Sequence, residues 1–63
     1  MFEKLMKKIE YAKTSVMPNR DLYEVYGGIK MAHELKAISD EEYLKLNHEC
    51  VAEGINNPKY FDR

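Results

Sequence analysis

The sequence predicts an all-α fold: a compact three-helix bundle, with helices over about 2–16, 21–36 and 40–53 and a short aromatic C-terminal tail. Three observations predict it. Apolar residues recur at three- and four-residue spacing through most of the chain. Met17-Pro18-Asn19 and Gly54-Ile55-Asn56-Asn57-Pro58 punctuate that pattern. A Ser39-x-x-Glu42 signature marks one helix start. With 63 residues the chain is one domain, 1–63.

The first helix carries its stripe on Phe2, Leu5, Met6, Ile9, Ala12 and Val16, with most charged residues outside it. Thr14 and Ser15 weaken the pattern. Pro18 ends it, because proline cannot extend the hydrogen-bond ladder and disfavours helical geometry at Met17. Asn19 or Asp21 is the expected cap of the second helix. Its stripe is Leu22, Val25, Tyr26, Ile29, Ala32 and His33, widened by Met31 and Leu35. Gly27-Gly28 falls within this segment, between stripe positions, and admits two readings. A continuous helix would carry the glycines where a neighbour approaches closely. A hairpin would pair residues 23–26 with 29–32 across a Gly-Gly turn. The unbroken stripe favours the helix. In the third helix Ser39 caps, Glu42 completes the capping box, and Ile38 with Tyr43 supplies the hydrophobic staple. Tyr43, Leu46, Cys50 and Val51 form its core face, with Leu44 beside it. Gly54 and Ile55 are expected at C′ and C″ of a Schellman end. Tyr60 and Phe61 in the tail are expected to dock on the bundle or on a partner.

A domain this short buries only about 60% of its unfolded surface and is marginal alone. Cys50 is the one cysteine, so no internal disulfide can brace it. A lone cysteine fits a reducing, cytoplasmic setting, and oligomerisation or a stable complex is a reasonable expectation. The hydrophobic fraction of 44% and charged fraction of 33% belong to a folded protein. No apolar run reaches the roughly 18 residues of a membrane span, and the N-terminal residues do not read as a signal peptide. Charge is uneven: residues 1–20 carry a net +3, residues 21–57 a net −5 and residues 58–63 a net +1. The reading is a basic first helix on an acidic body.

Each constellation that could carry chemistry has a plainer explanation. His33, His48 and Cys50 are the soft metal ligands, but His48 and Cys50 point about 200° apart on one helix, which does not match zinc spacing. Cys50 on an apolar face reads as an inert small hydrophobe rather than a nucleophile. Asp40-Glu41-Glu42 is accounted for by the positive end of the third helix. Gly27-Gly28 has no Gly-x-x-x-x-Gly-Lys around it to cradle phosphate. No catalytic residue, metal, cofactor or small-molecule substrate is therefore expected. Lys4, Lys7, Lys8 and Lys13 are candidate nucleic-acid contacts along the first helix, although arginine is scarce and the body is acidic. Tyr11, Tyr23, Tyr60 and Phe61 are the candidate partner-binding residues: a chain this small cannot bury five tyrosines, and Tyr beside Met is typical of interface anchors.

The stretch Glu34-Leu-Lys-Ala-Ile-Ser-Asp-Glu-Glu-Tyr43 resembles the helical hairpin of short bacterial C-terminal modules of the SHOCT type. Lys36-Ala37 stands where their turn carries glycine. Residues 21–61, from Tyr23-Glu-Val-Tyr-Gly-Gly-Ile through Gly54-Ile-Asn-Asn-Pro-Lys-Tyr-Phe61, resemble small proteins of Gram-positive phages, plasmids and integrative elements. That resemblance implies an accessory role in element maintenance, regulation or evasion of host defence, with no catalytic residues. The expected function is a non-enzymatic module that binds another protein. It would be a mobile-element regulator or an anti-CRISPR-like inhibitor of a host defence nuclease. The alternatives are a nucleic-acid-associated accessory factor and a structural homo-oligomer.

Overall fold

A computed structural model describes residues 1–61, with side chains through Tyr60. The expected docking of the Phe61 side chain lies outside the described residues. Among those residues the chain is all-helical: α1 (Phe2–Lys13), α2 (Pro18–Glu34), α3 (Asp40–Asn47), a π-helical segment (His48–Ile55) running on from α3, and α4 (Pro58–Phe61). The three longer rods pack on one another around Leu5, Ile9, Ala12, Leu22, Ile29, Ala32, Ile38, Leu46, Cys50 and Ile55.

Helix α1 ends three residues before the expected boundary. Thr14 Oγ1 donates to the Tyr11 carbonyl at 3.0 Å and Ser15 Oγ to the Ala12 carbonyl at 2.9 Å. These hydroxyls satisfy the last carbonyls locally and offer the backbone an alternative to the ladder. Val16 is consequently not on the core stripe; it lies in the turn and is 92% exposed. Helix α2 begins three residues earlier than expected. Neither Asn19 nor Asp21 caps it; Met17 holds the N-cap place, with φ −124 and ψ 73 and no side-chain hydrogen bond, and Pro18 stands at N1 or N2. Proline is preorganised for that position, where its missing N–H costs nothing.

Gly27 and Gly28 lie inside α2, so the hairpin reading fails. The expected close approach fails too: nothing stands within 4 Å of where a Cβ would sit on either residue. Met31, Leu35 and Leu44, assigned to or beside the apolar faces, are exposed. The turn after α2 is closed by the two hydrogen bonds of a Schellman motif, Lys36 N–H to the His33 carbonyl at 3.0 Å and Ala37 N–H to the Ala32 carbonyl at 2.8 Å. Lys36 adopts φ 60 there, the left-handed conformation usually left to glycine.

The capping box at Ser39 is formed. Its hydroxyl accepts from Glu42 N–H at 3.1 Å, and the Glu42 carboxylate accepts from Ser39 N–H at 2.9 Å. Ile38 is buried and Tyr43 packs on the same core. Beyond Asn47 the winding widens. In an α-helix Ile55 would lie about 140° around the axis from Cys50. The π winding instead bonds N–H groups to carbonyls five residues back, as Asn56 N–H does to the Val51 carbonyl at 2.7 Å, and Leu46, Cys50, Gly54 and Ile55 are all buried. Gly54 is therefore not the expected C′ residue, and no glycine has positive φ. Its value is its missing side chain, since a Cβ there would meet the Leu22 methyls at 3.0 and 3.2 Å and the Glu49 carbonyl at 3.3 Å. Asn57 then caps α4 by accepting from Lys59 N–H at 3.0 Å.

The helical glycines should respond with opposite signs. Gly27→Ala should stabilise the fold by about 1 kcal/mol through helix propensity alone. Gly54→Ala should destabilise it by about 1 kcal/mol, because a tightly packed core leucine and a backbone carbonyl would have to give way. Urea denaturation reads both. Lys36→Gly should add about 1 kcal/mol in the same assay by relieving the left-handed lysine.

Candidate partner-binding surface

The α1–α2 turn gathers side chains that the core does not use. Tyr11 leaves the last turn of α1 and is 76% exposed; Tyr23 leaves the outer side of α2 and is 55% exposed. Val16 and Met17 lie in the turn between them, Met17 at 52% exposure. Two shallow concavities meet there. Tyr11 borders one and Tyr23 the other, and Val16, Met17 and Arg20 are common to both. Arg20 is largely exposed, and its Nε stands 3.6 Å from Asp21 Oδ1. Asn19 Oδ1, in the wall beside Tyr23, is covered and has no hydrogen-bond partner.

The base of this surface is held from below. At the end of α1, Lys13 Nζ donates to Glu49 Oε2 at 2.8 Å. At the start of α2, the Cys50 thiol donates to the Leu22 carbonyl at 3.2 Å. Both acceptor and donor partners, Glu49 and Cys50, are neighbours in the π segment. The two flanks of the turn are thus tied to one element.

Of the expected partner-binding residues, Tyr11 and Tyr23 flank this turn, each bordering one of the two concavities. Tyr60 does not join them; it is half-buried on α4, which packs on α2 and the π segment. The sequence reading missed Val16, Met17 and Arg20. The signal for the first two was the Thr14-Ser15 hydroxyl pair ahead of Pro18, which turns the chain before Val16 can rejoin the stripe. Of the lysines, Lys4, Lys7 and Lys8 are exposed, whereas Lys13 is mostly covered by its pairing with Glu49. Lys7 and Lys8 stand on one side of a groove between α1 and α2 whose other side carries Asp21 and Glu24.

The soft ligands are dispersed over separate contacts. His33 Nε2–H donates to Asp40 Oδ1 at 2.7 Å, and its ring stacks on Tyr43 with centroids 4.1 Å apart. His48 is exposed beside Glu53, 3.4 Å away. Among the described residues no three His, Cys, Asp or Glu side chains converge on a point that could hold a metal ion. Among them also, no helix is long and apolar enough to cross a membrane. Burial pushes the Cys50 thiol up from the ordinary 9.0 to about 11, partly offset by the nearby Lys13 charge. A thiol held protonated and fully buried is a poor nucleophile.

Comparison with protein-family models, with curated proteins and with solved structures finds no match.

The thiol has a measurable consequence. Unfolded, it ionises at about 9.0; folded, only at about 11. Between those values the unfolded chain has lost a proton that the folded chain keeps, so deprotonation favours unfolding. Its contribution is fully present below pH 9 and lost as pH rises toward 11, by up to about 1.4 kcal/mol per pH unit. Cys50→Ala should flatten that part of the alkaline stability profile. Native protein should also resist a thiol reagent that labels it at once in denaturant.

Proposed function

We propose that this chain is a non-enzymatic helical module, a three-helix bundle in outline, that binds another protein through the α1–α2 turn. The observation that carries the reading is the single patch of Tyr11, Val16, Met17 and Tyr23 around Arg20. Scattered exposed apolar residues need no explanation, but a contiguous set beside an arginine has interface composition. Tyr and Arg are the side chains that most often dominate binding energy. The patch offers a partner two shallow seats for apolar side chains and a guanidinium for a carboxylate. Anchoring at Lys13 and Leu22 limits the ordering cost of binding. The dispersal of His33, His48 and Cys50 supports a binding rather than a catalytic role. The covered Lys13 and the acidic side chains opposite Lys7 and Lys8 weaken the nucleic-acid alternative. A regulator encoded by a mobile element, or an inhibitor of a host nuclease, is the biological setting in which we place such a module.

The test is retrieval from a Gram-positive lysate by the immobilised full chain. Wild type and a Lys4→Glu/Lys7→Glu variant should retain the same specific protein. A Val16→Ser/Met17→Ser/Tyr23→Ser variant should lose it at least about tenfold, with its melting temperature little changed because these side chains are mainly exposed. Recovery of no specific protein, or equal recovery by the triple variant, overturns the reading.

A further inference from the structure

The groove between α1 and α2 has a charge arrangement that defines its own complement. Its floor is apolar, from Leu5, Ala12, Val25 and the bare backbone of Gly28. Lys7 and Lys8 rise on the α1 side, Asp21 and Glu24 on the α2 side. Among the described residues Lys7, Lys8 and Glu24 make no ion pair within 4.0 Å, so these charges are available to cross an interface.

We propose that this groove seats a second copy of the chain, related by a two-fold axis parallel to the groove. A closed dimer interface must be self-complementary. A two-fold across the groove would set lysine against lysine. A two-fold along it turns each copy over and brings the basic side of one onto the acidic side of the other. It also keeps every residue at its own height. Helices α1 and α2 are joined by a four-residue turn and line the groove together; the antiparallel register this connection implies sets Ala12 about level with Asp21 and Leu5 with Gly28. Lys8 then stands within a turn of the partner's acidic side chain at position 24, and symmetry makes that contact twice. Each α1 runs antiparallel to the facing α2, which also aligns their dipoles favourably.

Gly28 fits the same arrangement. Nothing within the chain approaches the position its Cβ would take, so it leaves a notch through which a facing helix can reach the backbone. Apolar floor and charged borders are the ordinary anatomy of a protein interface. This inference goes beyond the partner-binding reading: it uses the length of the helices rather than the turn at their end, and Tyr11 and Asp21 border both.

Sedimentation equilibrium of the full chain, from micromolar to millimolar concentration, tests it. The expected result is a monomer–dimer equilibrium that weakens with salt. Lys8→Glu and Glu24→Lys should each raise the dissociation constant at least about tenfold, with circular dichroism showing unchanged helix content. An equimolar mixture of the two variants should recover dimer, because both symmetry-related contacts then pair opposite charges. The double variant should recover it as well. The Val16→Ser/Met17→Ser/Tyr23→Ser chain should dimerise like wild type, which separates this inference from the partner-binding reading. Monomer at every concentration, a dimer indifferent to both single reversals, or no recovery in the mixture overturns it.

Discussion

The approach of α2 to the π segment at Leu22 is the contact on which the rest of the molecule depends. Leu22 and Cys50 are fully buried there, and Gly54 lets the leucine methyls lie against backbone. The thiol of Cys50 closes the contact by donating to the Leu22 carbonyl. The wider winding serves this geometry, since it narrows the arc over which Cys50, Gly54 and Ile55 are buried from the about 140° of an α-helix. A π winding is rarely favourable by itself and appears mainly as single turns in α-helices. Eight residues of it are held by the packing they make possible. Local conformation here follows tertiary contact, not the reverse.

At the opposite end of α2 the balance is different. The Schellman turn at Lys36, the capping box at Ser39 and Glu42, and the stacked His33–Tyr43 pair with Asp40 join α2 to α3 through residues close in sequence. Such a junction needs little loop closure and is set by local chemistry. The α1–α2 turn is bonded locally on its α1 side, through the Thr14 and Ser15 hydroxyls. It gains rigidity from the π segment through the Lys13–Glu49 and Leu22–Cys50 contacts, both spanning more than two dozen residues. The surface most suited to a partner is therefore preorganised by the element with the least local support.

This division explains what the sequence disclosed. The helices and most of the core were legible, because Leu5, Ile9, Leu22, Ile29 and Leu46 follow a helical period. The capping box was legible because it is a local hydrogen-bond code. The π segment was not, because bonds to the fifth residue back leave no compositional mark, and Gly54 imitates a helix terminator. The early start of α2 was obscured by the polar residues after Pro18, which look like better caps than Met17. At the candidate surface, Tyr11 and Tyr23 stood out as aromatics off the stripe. Val16 was counted on the stripe only because α1 was carried past Thr14. The loss of Lys13 from the basic face depends on Glu49, thirty-six residues away, and no local pattern encodes that.

The glycines carry the argument one step further. A glycine inside a helix forfeits about 1 kcal/mol relative to alanine, a serious amount for a chain with ten buried core side chains among the described residues. Gly54 offsets that loss internally, because a larger residue would displace Leu22. Gly27 and Gly28 have no internal offset: their faces are open and their φ values are ordinary for a helix. Neither backbone conformation nor packing within one copy of the chain accounts for them. What they do shape is the outer surface of α2, where Gly28 opens the floor of a groove bordered by opposite charges. A feature that weakens the isolated fold while shaping its exterior is accounted for by what the exterior meets, and here the charges beside it define a complement that the chain itself supplies.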